Sequence, residues 1–362
     1  MRVAVFGTKA YDRRFLEAAN AQFGHQLQFF EARLDETTVG LALGFPAVCV
    51  FVNDRLNDIV LTKLAEGSTR LVALRCAGYN NVDLQAAQRL DIAVVRVPAY
   101  SPHAVSEFTV GLMLTLDRKI HRAWARVREN NFALDGLIGH NLFGRTAGVV
   151  GTGRIGALVA RTLKLGFGCD VLASDPAPDP KLAALGIRYV ETSALLAEAD
   201  IVTLHCPLTL ATRHLIDGPA IARAKPGVMI VNTSRGALID TKALIAGLKR
   251  RKISGVALDV YEQEGDLFFE DLSNEIIEDD VFQRLLTFPN VLITGHQAFL
   301  TEESLKAIAE TTLSSISDAE AGRSLRYRVV AALARDVPLS EPHQDRISFR
   351  DERLARAPFQ GH

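Results

Sequence analysis

Long apolar runs are missing from this 362-residue sequence. None approaches the ~18 apolar residues that a membrane-spanning helix needs, and no membrane association is expected. A surplus of either charge is missing too, because 41 Lys and Arg face 42 Asp and Glu for a net charge of −1. That balance gives no general pull toward nucleic acid, so none is expected as a partner. Cysteine is sparse, and Cys49, Cys76, Cys169 and Cys206 show no CxxC spacing. Three of the four lie in apolar, strand-like runs. Buried free thiols in a reducing compartment are therefore expected, rather than disulfides or a metal site. The segment Met1-Arg2-Val3-Ala4-Val5-Phe6-Gly7 reads as a short strand, not as a signal peptide. Together these absences imply a cytoplasmic location. There is no repeat of solenoid period and no low-complexity tract. What remains is a globular composition, 48% hydrophobic and 23% charged, long enough for two domains.

The most informative stretch is Gly151-Thr152-Gly153-Arg154-Ile155-Gly156. The apolar run Ala147 to Val150 enters it as a buried strand, and Ile155 to Leu165 leaves it with helical periodicity. Its glycines suit a tight turn, close approach of backbone to a pyrophosphate, and close helix-on-strand packing. The helix N-terminus adds free N–H groups and a partial positive charge. A glycine turn alone need bind nothing. Here Asp175 follows Gly156 by 19 residues, at the end of the next strand, Val171 to Ser174. A carboxylate there can accept hydrogen bonds from an adenosine ribose. It would repel a 2′-phosphate, and Pro176-Ala177 offers no Arg to neutralise one, so NAD is expected rather than NADP.

Two series of alternating strands and helices flank this motif, which predicts an α/β fold with two doubly wound parallel sheets. The first series has strand candidates Val3–Phe6, Gln26–Phe30, Ala47–Val52, Leu71–Arg75 and Ala93–Val97. A single long helix is predicted from about Pro102 to Glu129, with Ser101 as N-cap and Pro102 at the first helical position. Its broad apolar surface suits a domain bridge, a subunit interface or a hinge packed within its own chain. The second series runs from Thr146 to about Gln297. Gly151, Asp175, His205, Thr233, Asp259 and His296 all fall at strand ends, the edge where such sheets bind ligands. A returning helix, Glu302 to Glu320, would complete the first domain. The expected division is 1–100 with 298–330, an inserted 101–297, and a tail 331–362. The segment from Arg323 on, rich in Arg and Asp with Pro338 and Pro342, is expected to be weakly ordered or to lie on a neighbouring subunit.

Arg235, Glu264 and His296 are hard to explain structurally. They stand 29 and 32 residues apart, so only a fold can unite them. Reduction of a ketone by a nicotinamide also needs a proton, and an imidazolium can supply it near neutral pH. A neighbouring carboxylate would favour its charged form. A guanidinium could hold a substrate carboxylate and polarise the keto oxygen. Taken singly, a His near a strand end or a Glu in a loop has a bland reading; only a shared location gives them chemistry.

Several strings then carry a family resemblance. They are Gly151–Gly156, Asn232-Thr233-Ser234-Arg235-Gly236, Leu258-Asp259-Val260-Tyr261-Glu262 and Gly295-His296-Gln297-Ala298-Phe299. The sequence resembles the D-isomer-specific 2-hydroxyacid dehydrogenases from Met1 to about Gly322. Arg75-Cys76-Ala77-Gly78-Tyr79-Asn80-Asn81-Val82-Asp83, Val97-Pro98-Ala99-Tyr100-Ser101-Pro102 and Asp266-Leu267-Phe268-Phe269-Glu270-Asp271 narrow this to the fermentative D-lactate dehydrogenase branch. The resemblance implies a Rossmann NAD-binding domain inserted in a discontinuous flavodoxin-like catalytic domain. It implies NADH-dependent reduction of pyruvate, with Arg235 binding substrate, His296 donating the proton and Glu264 as its partner. It implies cofactor contacts at Arg154, Ile155, Asp175, Cys206, Pro207, Thr212, Thr233, Ser234 and Asp259, beside the glycine turn with Thr152. Substrate contacts are implied at Ala77, Gly78, Tyr79 and Tyr100, with Phe299 closing the pocket, and a homo-oligomer, dimer or tetramer, joined through the cofactor domains.

Tyr79 stands where the family more usually has Phe, so a hydroxyl edges the expected pocket. Two other readings stay open at this point. One is the same chemistry on a bulkier 2-keto acid, such as 2-ketoisocaproate or phenylpyruvate. The other is an NAD-sensing binding protein like the transcriptional corepressors of the same fold, against which the joint presence of Arg235, Glu264 and His296 argues.

Overall fold

Nearly continuous apolar strands bury both faces, and the chain answers that requirement twice. In a computed structural model, which describes residues 1–331, two sheets are each covered by helices. The first contains β1 (Arg2–Val5), β2 (Gln26–Phe29), β3 (Ala47–Val50), β4 (Leu71–Leu74) and β5 (Ala93–Arg96). The second contains β6 (Thr146–Val150), β7 (Asp170–Ser174), β8 (Arg188–Tyr189), β9 (Ile201–Leu204), β10 (Val228–Asn232), β11 (Ile253–Leu258) and β12 (Val291–Ile293). All pairs among these strands are parallel. β3, β4 and β9 are buried at every residue, the pattern of a sheet covered on both sides.

The strand orders locate the crevices. In the first sheet the order β5-β4-β3-β1-β2 reverses between β1 and β3; in the second, β12-β11-β10-β9-β6-β7-β8 reverses between β6 and β9. Ligands bind where strand order reverses, beyond the carboxyl ends of the strands. The glycine turn leaves β6 and Cys206 lies just beyond β9, so the motif read from sequence sits at the second reversal.

Helix Pro102–Asp117 packs Leu112, Met113 and Leu116 with Ala147, Val149, Val231 and Ala257 of the second sheet. Ser101 caps it by accepting from Ala104 N at 3.2 Å, as expected. The single helix predicted to Glu129 is two helices. Lys119 takes a left-handed conformation (φ 52°) between Pro102–Asp117 and Ile120–Arg128. A docked loop imposes the break. His140 N and Nδ1 contact the Asp117 carboxylate at 2.8 and 2.9 Å, and Lys119 Nζ donates to the Ile138 carbonyl.

Helix Glu302–Glu320 returns to the first sheet, where Ala309, Leu313 and Ile316 pack with Val3, Val5 and Leu71. Weak order was expected from Arg323, but residues 323–331 are placed. Strand β13 (Arg328–Val329) pairs antiparallel with Val95 and Val94 of β5, and Val329 is buried. The apolar edge of β5 supplies the partner that composition alone does not reveal. The rest of the expected tail, 332–362, lies outside the described residues. All four cysteines are free and buried. Burial pushes the thiols of Cys49 and Cys76 up to about 11 and about 12, which makes them inert. Among the described residues no helix is long and apolar enough to cross a membrane.

Candidate active site

The glycine turn has the geometry of a phosphate cradle. Gly151 has φ +87°, and a Cβ there would lie 2.5 Å from Cys206 N. A Cβ on Gly156 would lie 1.9 Å from the Gly151 carbonyl oxygen, so the helix that starts at Arg154 packs directly on the turn. At Gly153 the same atom would meet nothing within 4 Å. The turn is thus crowded where protein packs and open where a pyrophosphate would approach. Asp175 steadies it, with Oδ2 accepting from Thr152 N at 2.6 Å and Oδ1 from Ala177 N at 2.8 Å. These features fit a dinucleotide. Other residues expected at the cofactor use their polar atoms within the protein. Thr233 Oγ1 pairs with Thr109 Oγ1 at 2.8 Å, Ser234 Oγ donates to the Cys206 carbonyl, and Thr212 Oγ1 donates to the Pro207 carbonyl. His205 points inward, with Nε2 2.9 Å from Thr203 Oγ1, and burial pushes its imidazole down to about 3.

Loops after three strands bring Arg235, Glu264 and His296 together. After β10, Asn232 holds the turn: its Nδ2 donates to the Arg235 carbonyl at 2.9 Å and its Oδ1 accepts from Ser234 N at 3.0 Å. A Cβ on Gly236 would lie 2.0 Å from the Tyr261 carbonyl carbon. Only glycine lets this turn settle on the end of β11, which sets Arg235 beside the Glu264 loop. After β11, the two glutamates of Glu262-Gln263-Glu264 part company. Glu262 pairs with His214 at 2.5 Å and with Thr241 Oγ1 at 3.1 Å. Glu264 Oε2 accepts from Tyr261 N at 2.9 Å, while Oε1 meets His296 Nδ1 at 2.8 Å.

Asp259 fixes the third loop. Its buried carboxylate accepts from Thr294 Oγ1 (2.6 Å), Gln297 N (2.9 Å) and Ala298 N (2.8 Å). Those bonds bracket His296, which sits in the left-handed region at φ 54°. Three of the roughly four acceptor sites of that carboxylate are filled within the protein.

Electrostatics follow from this packing. Burial pushes the His296 imidazole down, but the adjacent Glu264 carboxylate outweighs it and holds the ring above its ordinary value. Burial likewise pushes Glu264 up, and His296 brings it below the usual carboxylate range. The Arg235 guanidinium is near enough to act on His296, Glu264 and Tyr100. Because Nδ1 of His296 faces Glu264, Nε2 is the nitrogen left for a ligand.

The first sheet contributes the facing wall. A Cβ on Gly78 would lie 2.8 Å from Arg235 Nη2, so the backbone of residues 77–79 passes against the guanidinium. Tyr100 and Phe299 rings meet edge-on at 6.2 Å. Two phenylalanines that sequence reading missed complete this wall. Phe51 contacts Phe299 (5.8 Å) and Phe269 (5.1 Å), and Phe269 contacts His296 (5.6 Å). Two arginines support it. Arg96 donates to the Ala77 carbonyl at 2.8 Å and lies over Tyr79. Buried Arg75 lies under Phe51 and donates to the Gly7 carbonyl at 2.8 Å. The doubled Phe in an acidic loop was a signal for Phe269; the others carried none. Gly78→Ala should fold, since the clashing atom is the end of a flexible side chain. It should push Arg235 aside and lower kcat/KM for a small 2-keto acid by about 10²-fold, as misplacement by ~1 Å of a reacting group can. Steady-state kinetics with NADH read the effect, and an undiminished kcat/KM would remove Arg235 from the reacting constellation.

Comparison with known proteins identifies the family. The family model described as D-isomer specific 2-hydroxyacid dehydrogenase, NAD binding domain, matches residues 110–298. A 2-hydroxyacid dehydrogenase homolog of Haemophilus influenzae is 57% identical over 323 residues, 89% of this chain and 97% of that protein. The D-lactate dehydrogenase of Escherichia coli is 52% identical over 330 residues, 91% of this chain and 100% of that protein. The apo-structure of D-lactate dehydrogenase from Escherichia coli superimposes with a TM-score of 0.83 at 49% identity, covering 91% of this chain and 100% of that one. The chain belongs to the D-isomer specific 2-hydroxyacid dehydrogenase family and carries its NAD binding domain.

Proposed function

We propose that this enzyme is a D-lactate dehydrogenase that reduces pyruvate with NADH. The observation that carries the reading is the joint placement of Arg235, Glu264 and His296 against the wall formed by Gly78, Tyr100, Phe299, Phe51 and Phe269. The nicotinamide, when bound, supplies the hydride. Arg235, with the backbone near Gly78, holds the substrate carboxylate, and its planar, two-pronged donor polarises the adjacent keto oxygen. Glu264 keeps a proton on His296, and Nε2 delivers it to that oxygen. The aromatic rings of Tyr100, Phe299, Phe51 and Phe269 line the site, which favours the small side chain of pyruvate over bulkier 2-keto acids. Asp175 favours NAD over a 2′-phosphorylated cofactor.

The domain division 1–100 with 298–330 and 101–297 belongs to the same proposal. It is supported by helix Glu302–Glu320 and β13 on the first sheet and by helix Pro102–Asp117 on the second. Four buried, unpaired cysteines suit a reducing, cytoplasmic compartment. Helix Ile120–Arg128 buries none of its residues. It exposes Ile120, Trp124 and Val127, and the segment that follows exposes Phe132, Leu134 and Ile138. An apolar patch of this kind is expected to be covered, and a second copy is the proposed cover. Trp124→Glu should shift the protein toward monomer by light scattering; a monomeric native protein would contradict the homo-oligomer.

A spectrophotometric screen tests the main reading, with NADH and NADPH against a ladder of 2-keto acids. NADH with pyruvate should give the highest kcat/KM, and His296→Ala should lower kcat by about 10²–10⁴. Flat traces with every keto acid, or near-native kcat in His296→Ala, would contradict it.

A further inference from the structure

Two cations from the layer of the first sheet reach the loop that carries Glu264. Lys9 lies where the chain leaves β1, and Arg33 lies where it leaves β2. Lys9 Nζ donates to Glu270 Oε2 at 2.8 Å, and Arg33 Nε donates to Oε1 at 3.1 Å. Arg33 Nη1 donates as well to the carbonyl of Gly265, the neighbour of Glu264. Each Glu270 oxygen is thus gripped by a different cation, across 261 and 237 residues of chain. Burial pushes the Glu270 carboxyl up, but Lys9 and Arg33 together hold it below the usual range. The same loop wedges Phe269 between Phe51 and His296, at a left-handed φ of 69°. A non-glycine residue keeps that conformation only where its surroundings impose it.

None of Lys9, Arg33 and Glu270 is part of the proposed reacting constellation. They join two layers that the chain links covalently at 98–101 and again at 294–301. Contacts between such layers are polar, modest and reversible, and relative motion across them is the default. We infer that Lys9, Glu270 and Arg33 form a clasp that sets how much of the enzyme holds its cleft closed, and thereby sets its apparent affinity for the keto acid. The inference rests on the reductase reading above. A ligand that needs the closed form binds with an apparent constant equal to the intrinsic one divided by the closed fraction. Opening the clasp therefore raises KM. It leaves kcat nearly intact, because saturating substrate restores closure. Glu270 is on this account a positioning residue.

The test compares the full-length enzyme with Glu270→Gln, Arg33→Met and their combination, by steady-state kinetics with NADH and pyruvate. Glu270→Gln should raise KM for pyruvate by about tenfold with kcat within about twofold, a closed-fraction effect. The combination should raise KM by less than the product of the two single effects, because the Arg33–Glu270 contact is lost in each while Lys9–Glu270 and Arg33–Gly265 are lost in one apiece. Thermal midpoints report whether each variant folds; if Glu270→Gln does not, Arg33→Met and Lys9→Met carry the same expectation. An unchanged KM in a folded variant, a fall in kcat at constant KM, or fully additive changes would overturn the clasp. A wild-type enzyme that reduces no keto acid fails the reductase reading and the clasp with it. A working wild type with unaffected variants fails the clasp alone.

Discussion

The contact between the Glu264 carboxylate and the His296 ring organises this molecule. Burial by itself would strip the proton from an imidazole, and the guanidinium of Arg235 pushes the same way. A carboxylate at hydrogen-bond distance, helped by the charge of Asp259, reverses that balance. The fold therefore has to deliver an acid and a histidine from separate strands to within 2.8 Å, with their side chains only 22% and 18% exposed. Asp259 anchors the histidine loop by three hydrogen bonds, and the Tyr261 backbone orients the free oxygen of Glu264. Asp259 is itself pushed up by burial, so its hydrogen bonds carry the cost of keeping a carboxylate there.

Strand order makes this delivery possible. β10, β11 and β12 lie side by side, so the loops that follow them emerge next to one another beyond one sheet edge. The glycine turn emerges at the reversal between β6 and β9, along the same edge. A dinucleotide laid along that edge runs from the turn toward the histidine. The first sheet closes the space from the other side, its own reversal supplying Lys9 after β1 and Phe51 after β3.

Much of this was legible in the sequence, and for physical reasons. Parallel strands buried on both faces show as apolar runs, so nearly every strand of both sheets could be located. Glycines required by close approach, such as Gly151 and Gly156, leave a recognisable spacing. Strand ends show as the point where apolar runs meet polar residues, which is how Asp175, Asp259 and His296 stood out. Contacts between elements distant in sequence left no such mark. The break at Lys119 lies between helix-forming residues and is imposed by a loop about twenty positions on, around Ile138 to His140. Strand β13 is two residues long and exists because β5 offers it an edge. Phe51 reads as an ordinary strand-end residue until the loop carrying Phe269 packs against it, and Arg96 until the loop of Ala77 and Tyr79 folds over it. The separate fates of Glu262 and Glu264 depend on which neighbour each oxygen meets, and spacing along the chain does not contain that.

The most direct measurement is an NMR titration of the His296 ring in protein carrying 15N-labelled histidine, with Glu264→Gln as the comparison. The account predicts a wild-type midpoint above about 6.5, the ordinary histidine value, with the imidazolium lost only as pH rises through that higher midpoint. In Glu264→Gln the midpoint should fall well below the wild-type one, since burial and Arg235 are then opposed only by the weaker pull of Asp259. A wild-type ring that titrates at or below about 6.5, or one that the Glu264 change leaves unmoved, would contradict the account.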